Sequence, residues 1–133
     1  MALTYYWKEI KMSKPSFESM FSVLFKIDRE IRYASVIEKS GKVIAGGMRK
    51  GVRPLEPKEE ELRLMAHIVS ESTTRETLDK YFGKTTYTIV KRAKVILMIF
   101  PYENRLAFVT AEPTFSLQKI SEIRDILNEY IQY

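Results

Sequence analysis

Three segments of the chain repeat their apolar residues with the period of an α-helix. The first follows Pro15, a residue favoured in a first helical turn, and its stripe is Phe17, Met20, Phe21, Leu24, Ile27 and Ile31. The second spans residues 57–83 and has the stripe Leu62, Met65, Ala66 and Val69. The third follows Pro113 and has the stripe Leu117, Ile120, Ile123, Leu127 and Ile131. The pattern therefore predicts three helices that each bury one face.

The second helical segment has good end signals but a weak middle. Acidic residues 59–61 suit the positive N-terminal end of a helix, and Gly83 suits the position after its last turn. The apolar period blurs at residues 70–74, where Thr73 and Glu76 have the spacing of a capping box. The pattern therefore allows a break near Ser72.

Five segments between the helices have the composition of β-strands. They cover residues 32–39, 42–48, 85–92, 94–100 and 105–112. Ser40 and Gly41 suit a two-residue hairpin turn between the first two, and the segment 94–100 is apolar on both faces, like a central strand. The order of helix, two strands, helix, three strands and helix predicts an α+β fold with helices on the faces of an antiparallel sheet.

The length of 133 residues suits a single domain, which we expect to consist of an N-terminal extension (1–14) and a core (15–132). The hydrophobic share of 45% and the charged share of 29% are typical of a soluble globular protein. No apolar run approaches the roughly 20 residues that span a bilayer, and the N-terminus lacks the pattern of a signal peptide. Together with the absence of cysteine, this predicts a cytoplasmic protein without membrane insertion.

The sequence contains little that indicates catalysis. The absence of cysteine excludes disulfides, thiolate zinc sites and cysteine nucleophiles, and the single histidine, His67, excludes a two-histidine metal motif. No serine–histidine–acid signature can be read, and no pair of carboxylates stands out. We therefore expect no catalytic residue, no cofactor and no metal site.

The stretch "GGMRKG" (46–51) places glycines among basic residues and raises the question of a phosphate loop. It lacks the GxxxxGK[ST] pattern, and the acidic residues 59–61 at the next helix start would repel a phosphate. Glycine inside an edge strand more often allows a bulge or a close packing contact. We expect that role for Gly46 and Gly47.

The segment "VIEKSGKVIAGG" (36–47) resembles the first hairpin of the roadblock / dynein light chain family, within the wider longin and profilin-like group. The resemblance covers residues 16–131, and the layout is also similar to short, uncharacterised archaeal proteins. It implies a five-stranded antiparallel sheet of order 2-1-5-4-3 with three helices, in the sequence α-β-β-α-β-β-β-α. The second and third strands are then the two edges.

The same resemblance implies a homodimer formed by the third strand and the long helix. The residues expected at this interface are Thr86, Thr88 and Val90. An edge strand with these residues and only a terminal lysine is weakly protected against pairing with another strand. The alternative is that the edge is covered by the N-terminal segment "LTYYW", which contains Tyr5, Tyr6 and Trp7.

The implied topology also brings basic residues to one end of the sheet. The chain carries a net charge of +5, and the second and third strands both finish at that end. The basic rim expected there consists of Arg49, Lys50, Arg53, Lys91, Arg92 and Lys94. Such a rim suits an acidic protein surface, a phosphate-bearing ligand or a membrane surface, although solvated turns with ordinary lysines have the same composition.

The resemblance implies a non-catalytic scaffold or regulator that works with a small GTPase or a larger assembly. Two other classes stay open at the level of sequence. One is a small-molecule sensor of the PAS or GAF type, which requires a cavity between the sheet and a helix. The other is a nucleic-acid-binding module that uses the basic rim, which the lack of a recognisable RNA-binding pattern disfavours.

Overall fold

The computed structural model describes residues 16–131. Its elements are α1 (Phe17–Ile27), β1 (Ile31–Glu38), β2 (Val43–Met48), α2 (Glu61–Glu76), α3 (Asp79–Phe82), β3 (Thr88–Lys91), β4 (Ile96–Pro101), β5 (Arg105–Ala111) and α4 (Ile120–Tyr130). Short 3₁₀ turns precede α2 and α4. The strands form one antiparallel sheet of order β2-β1-β5-β4-β3, which confirms the predicted fold class and strand order.

The sheet buries side chains on both of its faces, so the protein has two cores. α1 and α4 pack on one face, where Met98, Phe100 and Val109 belong to the larger core. α2 packs on the other face, where its Met65 and Ile68 contact a second cluster that is formed by Ile37, Ile99, Leu106 and Phe108. β4 contributes to both cores by alternation, which explains why its sequence is apolar on both faces.

The long helical segment forms two helices, so residues 16–131 contain four α-helices where the sequence predicted three helices. α2 continues through Ser72, which is buried against the sheet, and ends at Glu76. The Thr74 hydroxyl donates to the Ser70 carbonyl (3.0 Å) and the Thr77 hydroxyl donates to the Thr74 carbonyl (2.8 Å). These local bonds replace the expected capping box, and the break falls at Thr77–Leu78 instead of near Ser72.

The buried face of α2 also differs from the predicted one. Met65, Ile68 and Ser72 are buried, whereas Leu62 is 80% exposed and Ala66 is exposed too. Both stripes have helical spacing, so periodicity alone does not choose between them. Packing on the sheet decides which stripe is buried, because the side of α2 with Met65 and Ile68 faces the cluster around Phe108.

Several element ends move relative to the sequence pattern. β3 begins at Thr88, three residues later than expected, and α4 begins at Ile120 after a 3₁₀ turn. The hairpin between β1 and β2 has a three-residue loop instead of two, because the Glu38 amide donates to the Lys42 carbonyl (2.8 Å). Gly41 closes this loop at φ +94°, a conformation that suits glycine.

The two neighbouring glycines in β2 have different surroundings. A Cβ atom on Gly46 would lie 2.2 Å from the Ala34 carbonyl oxygen, and Gly46 has φ +107°. A Cβ atom on Gly47 would have no atom within 4 Å. Both residues lie inside an edge strand. Gly46 has the predicted packing role, because it lets the backbone of β1 approach closely, whereas neither a close contact nor a positive φ requires glycine at Gly47.

Candidate interaction surface

The edge strand β3 carries two of the three residues predicted for a dimer interface. Thr88 is paired with Ile99 and Val90 with Leu97, so both lie on the sheet face that α2 covers. Thr88, Val90 and Leu97 are only half-buried, because α2 does not extend over this margin of the sheet. Thr86 is exposed and precedes the strand, so the structure does not place it in the edge.

Arg49 has a structural position that the sequence did not indicate. Its guanidinium donates to the main-chain carbonyls of Ile31, Phe25 and Asp28, each at 2.7 Å, and it lies 4.9 Å from the centre of the Phe25 ring. These contacts join the end of α1 to the start of β1 and satisfy carbonyls at the end of that helix. Arg49 therefore faces inward, which corrects its assignment to the basic rim as a group available to a partner.

The remaining rim residues lie at two corners of one end of the sheet. Lys50 and Arg53 follow β2, whereas Lys91, Arg92 and Lys94 lie at the turn between β3 and β4. Because β2 and β3 are the outer strands, four strand spacings of about 4.8 Å separate the corners by about 19 Å.

Few of these cations have a hydrogen-bond or ion-pair partner within the described residues. Lys91 donates to the Pro113 carbonyl (2.7 Å), and the neighbouring Arg32 pairs with Glu112 (2.8 Å). Within residues 16–131, the side chains of Lys50, Arg53, Arg92 and Lys94 make no hydrogen bond or ion pair. These four cations are available to an anionic surface.

A cavity of about 290 Å³, which we call the α2 pocket, opens between the first turns of α2 and the sheet. Its apolar lining includes Tyr33, Leu97 and Phe108 from the strands and Leu64 and Met65 from α2. The ring of Tyr33 packs on that of Phe108, with centroids 5.5 Å apart. The pocket is therefore a preformed apolar recess beside the β3 margin.

Charged residues surround the opening of the α2 pocket. They are Glu56 and Glu61 on the side of α2 and Arg92 on the side of β3. Burial raises the pKa of the Tyr33 phenol, and the two carboxylates raise it further, whereas the Ser35 hydroxyl acts in the opposite direction. The net effect is a raised pKa, so the phenol is protonated at neutral pH.

A second cavity, of about 410 Å³, lies at the opposite end of α2 and is called the polar cleft here. Its lining mixes both signs of charge, with Arg75, Asp79, Lys84, Glu103 and Arg124 among the residues around it. Because positive and negative side chains both line the polar cleft, it does not favour a ligand of either charge.

An exposed apolar cluster, for which the sequence pattern predicted no role, lies beside the polar cleft. Leu78, Tyr81 and Phe82, which we call the α3 patch, are 47%, 69% and 81% exposed. Leu78 and Phe82 are four residues apart, and that spacing was the available signal for a shared face. Adjacent apolar side chains that are this exposed often mark an interaction site.

The described residues contain no arrangement that indicates catalysis. His67 is 65% exposed and pairs with Glu71 on the next turn (3.4 Å). Residues 16–131 include no group of three or more potential metal ligands. No helix in that part of the chain is long and apolar enough to cross a membrane. The aromatic residues Tyr5, Tyr6 and Trp7, the alternative cover for the β3 edge, lie outside the described residues.

A family model matches residues 10–130 of the chain and is described as a family of unknown function, DUF6659. No curated protein matches the chain. Among solved structures, the gliding protein MglB from Thermus thermophilus superimposes with a TM-score of 0.65 at 19% identity, over 87% of this chain and 90% of that one. A structure of MglB with tetrameric arrangement matches with a TM-score of 0.63 at 20% identity, over 90% and 96%.

A Roadblock/LC7 domain from Streptomyces avermitilis has a TM-score of 0.60 at 13% identity, over 89% of this chain and 98% of that domain. At identities of 20% or less, these likenesses concern the fold. The chain has the roadblock fold, which confirms the resemblance seen in the sequence. The PAS and GAF alternative requires a cavity between the sheet and a helix, and the α2 pocket lies in such a place, whereas the matched solved structures are MglB and Roadblock/LC7 domains.

Proposed function

Because this chain belongs to a family of unknown function (DUF6659) and has the roadblock fold, we propose that it is a non-catalytic scaffold that acts as a homodimer. Its dimer interface consists of the β3 edge and the adjoining side of α2. Its partner is a small GTPase or another component of a larger assembly. We assign it to the cytoplasm, because a chain without cysteine is compatible with a reducing compartment.

The observation that carries this proposal is the margin of the sheet at β3, which residues 16–131 leave unprotected. An edge strand presents unpaired backbone groups, and proteins usually protect such edges with charges, proline, bulges or a covering element. β3 has only Lys91 at its end, and its Thr88 and Val90 are half-buried next to Leu97. A second copy of β3 would pair with these backbone groups and would cover the apolar margin.

The opposite edge of the sheet differs in ways that disfavour pairing. β2 contains the positive-φ residue Gly46 and a register shift opposite Val36 and Ile37, both of which distort an edge. A symmetric dimer therefore has a better edge at β3 than at β2. The structure of MglB with tetrameric arrangement is an assembly of a protein with the same fold, and it supports self-association as the mode of action.

The test is the molar mass of the full chain in solution by light scattering, across a wide range of concentration and at low and high salt. The expected result is a dimer in both salts, because backbone pairing and apolar burial are weakly screened. A monomer at every concentration would contradict the proposal.

A further inference from the structure

The α2 pocket and the α3 patch are complementary features that one chain cannot bring together. The pocket lies at the first turns of α2, and the patch follows its last turn. α2 has 16 residues, so its length of about 24 Å separates them. Contact between pocket and patch therefore requires two chains.

The position of β3 relates both features to the edge of the sheet. The α2 pocket adjoins the C-terminal end of β3, because Arg92 and Val95 line it. α3 adjoins the N-terminal end, because Asp79 lines the polar cleft together with Thr86 and Thr88. Antiparallel pairing of two β3 strands about a two-fold axis places the N-terminal end of each beside the C-terminal end of the other. It would bring each α3 patch towards the α2 pocket of the second chain.

Size and charge agree with this arrangement. A volume of about 290 Å³ lies at the lower end of the range for small-ligand sites, roughly 300–1,000 Å³, and it is large enough for one or two inserted side chains. Glu56 and Glu61 at the opening make no ion pair within the described residues, and Lys80 and Lys84 flank the α3 patch. Arg92 across the opening has the opposite sign to Asp79 at the start of α3.

We propose that the α2 pocket is a docking site for the α3 patch of a second copy of this chain, with Phe82 as the inserted side chain. This inference rests on the proposed homodimer and specifies a reciprocal contact within it. Two such contacts per dimer bury the exposed aromatic ring of each chain in an apolar recess. Residues that contribute most of the binding energy of an interface are often aromatic side chains in such pockets.

The absence of cysteine from the sequence allows a direct test by cross-linking. The variant Leu55→Cys/Tyr81→Cys places one thiol at the pocket opening and one beside Phe82, and Leu55 and Tyr81 are both exposed. With a short bis-maleimide, we expect a covalent dimer as the main product. The matched control Val43→Cys/Tyr81→Cys, with one thiol on the β2 edge, should stay largely uncross-linked.

The second readout is the dimer dissociation constant of single variants, measured by sedimentation. Phe82→Ala should raise it at least tenfold, whereas Leu62→Ala should leave it unchanged. The two side chains are 81% and 80% exposed, so neither change should unfold the monomer, and Leu62 does not line the pocket.

The outcomes separate this contact from the dimer itself. A parent chain that is dimeric but gives no preferential cross-link between positions 55 and 81, or a Phe82→Ala variant that dimerises as tightly as the parent, overturns the docking and leaves the β3 interface. A parent chain that is monomeric overturns both.

Discussion

Gly46 shows how a single backbone conformation constrains this fold. Replacing Gly46 with alanine forces a Cβ atom to within 2.2 Å of the Ala34 carbonyl oxygen at a positive φ. Backbone strain and overpacking each cost roughly 1–3 kcal/mol, so Gly46→Ala should lower the free energy of unfolding by about 2–6 kcal/mol. Urea unfolding is the measurement. Gly47→Ala, one residue away in open space, is the control, and equal effects of the two changes would contradict the prediction.

Asp28 links the end of α1 to the turn before α4, and its contribution should depend on pH. Its carboxylate accepts a hydrogen bond from Lys119 (2.8 Å) and another from the Glu30 amide (2.8 Å), and these bonds hold the pKa of Asp28 below its ordinary value. A lowered pKa stabilises the fold above the unfolded value, about 3.9, and this stabilisation is lost as pH falls through the folded value.

The isosteric change Asp28→Asn should therefore reduce the free energy of unfolding modestly at pH 6 and progressively less as the pH falls below about 4. Urea titrations of parent and variant at several pH values measure the difference. The control Asp125→Asn alters an exposed carboxylate that has no ion pair within the described residues. A loss that is the same at every pH would contradict the assignment of this pair.

At the scale of elements, the proposed role of β3 depends on pairing with a second copy of the chain. Val90→Glu introduces a charge into its half-buried α2-facing side, next to Leu97. An inward-pointing charge is a device by which proteins prevent edge pairing, so we expect the dimer dissociation constant to rise at least about 100-fold. Analytical ultracentrifugation measures this change.

Val43→Glu is the matched control for this prediction, because Val43 is exposed on the other edge strand, β2. Circular dichroism should show both variants folded, with a stability loss of about 1 kcal/mol for Val90→Glu. A variant at Val90 that dimerises normally, or a variant at Val43 that does not, would place the interface elsewhere.

At the scale of the whole molecule, the four available cations at one end of the sheet favour an anionic partner. The double change Lys50→Glu/Lys94→Glu reverses one charge at each corner and avoids the residues that line the α2 pocket. We expect it to weaken binding to the proposed partner, a small GTPase, by more than about tenfold at low salt, and to have less effect at high salt. Binding can be followed by fluorescence anisotropy of the labelled chain.

The control for this prediction is Lys42→Glu, which changes an exposed lysine at the opposite end of the sheet. Unchanged binding of the double variant at low salt would remove the basic rim from the partner site. Mixed-sequence oligonucleotides test the nucleic-acid alternative in the same assay, because binding through phosphates weakens steeply as salt increases.

The sequence by itself determined the elements and their order. Periods of 3.6 and 2, proline before helices and glycine at turns are local signals, and they predicted α1, α4 and all five strands. The buried face of α2 was predicted less well, because the predicted stripe with Leu62 and Ala66 and the observed stripe with Ile68 and Ser72 both have helical spacing. The strand order followed only from the family resemblance, since pairing joins residues that are far apart in the chain.

The tertiary structure decided which side chains are available for binding. The local sequence does not distinguish Arg49 from Arg53, yet the Arg49 guanidinium donates hydrogen bonds to three main-chain carbonyls. Phe82 is a large aromatic residue of a type that is usually buried, yet it is 81% exposed at the end of α3. Local sequence determines the conformation of each segment, whereas exposure depends on how distant segments pack. The candidate interface is therefore a property of the folded molecule.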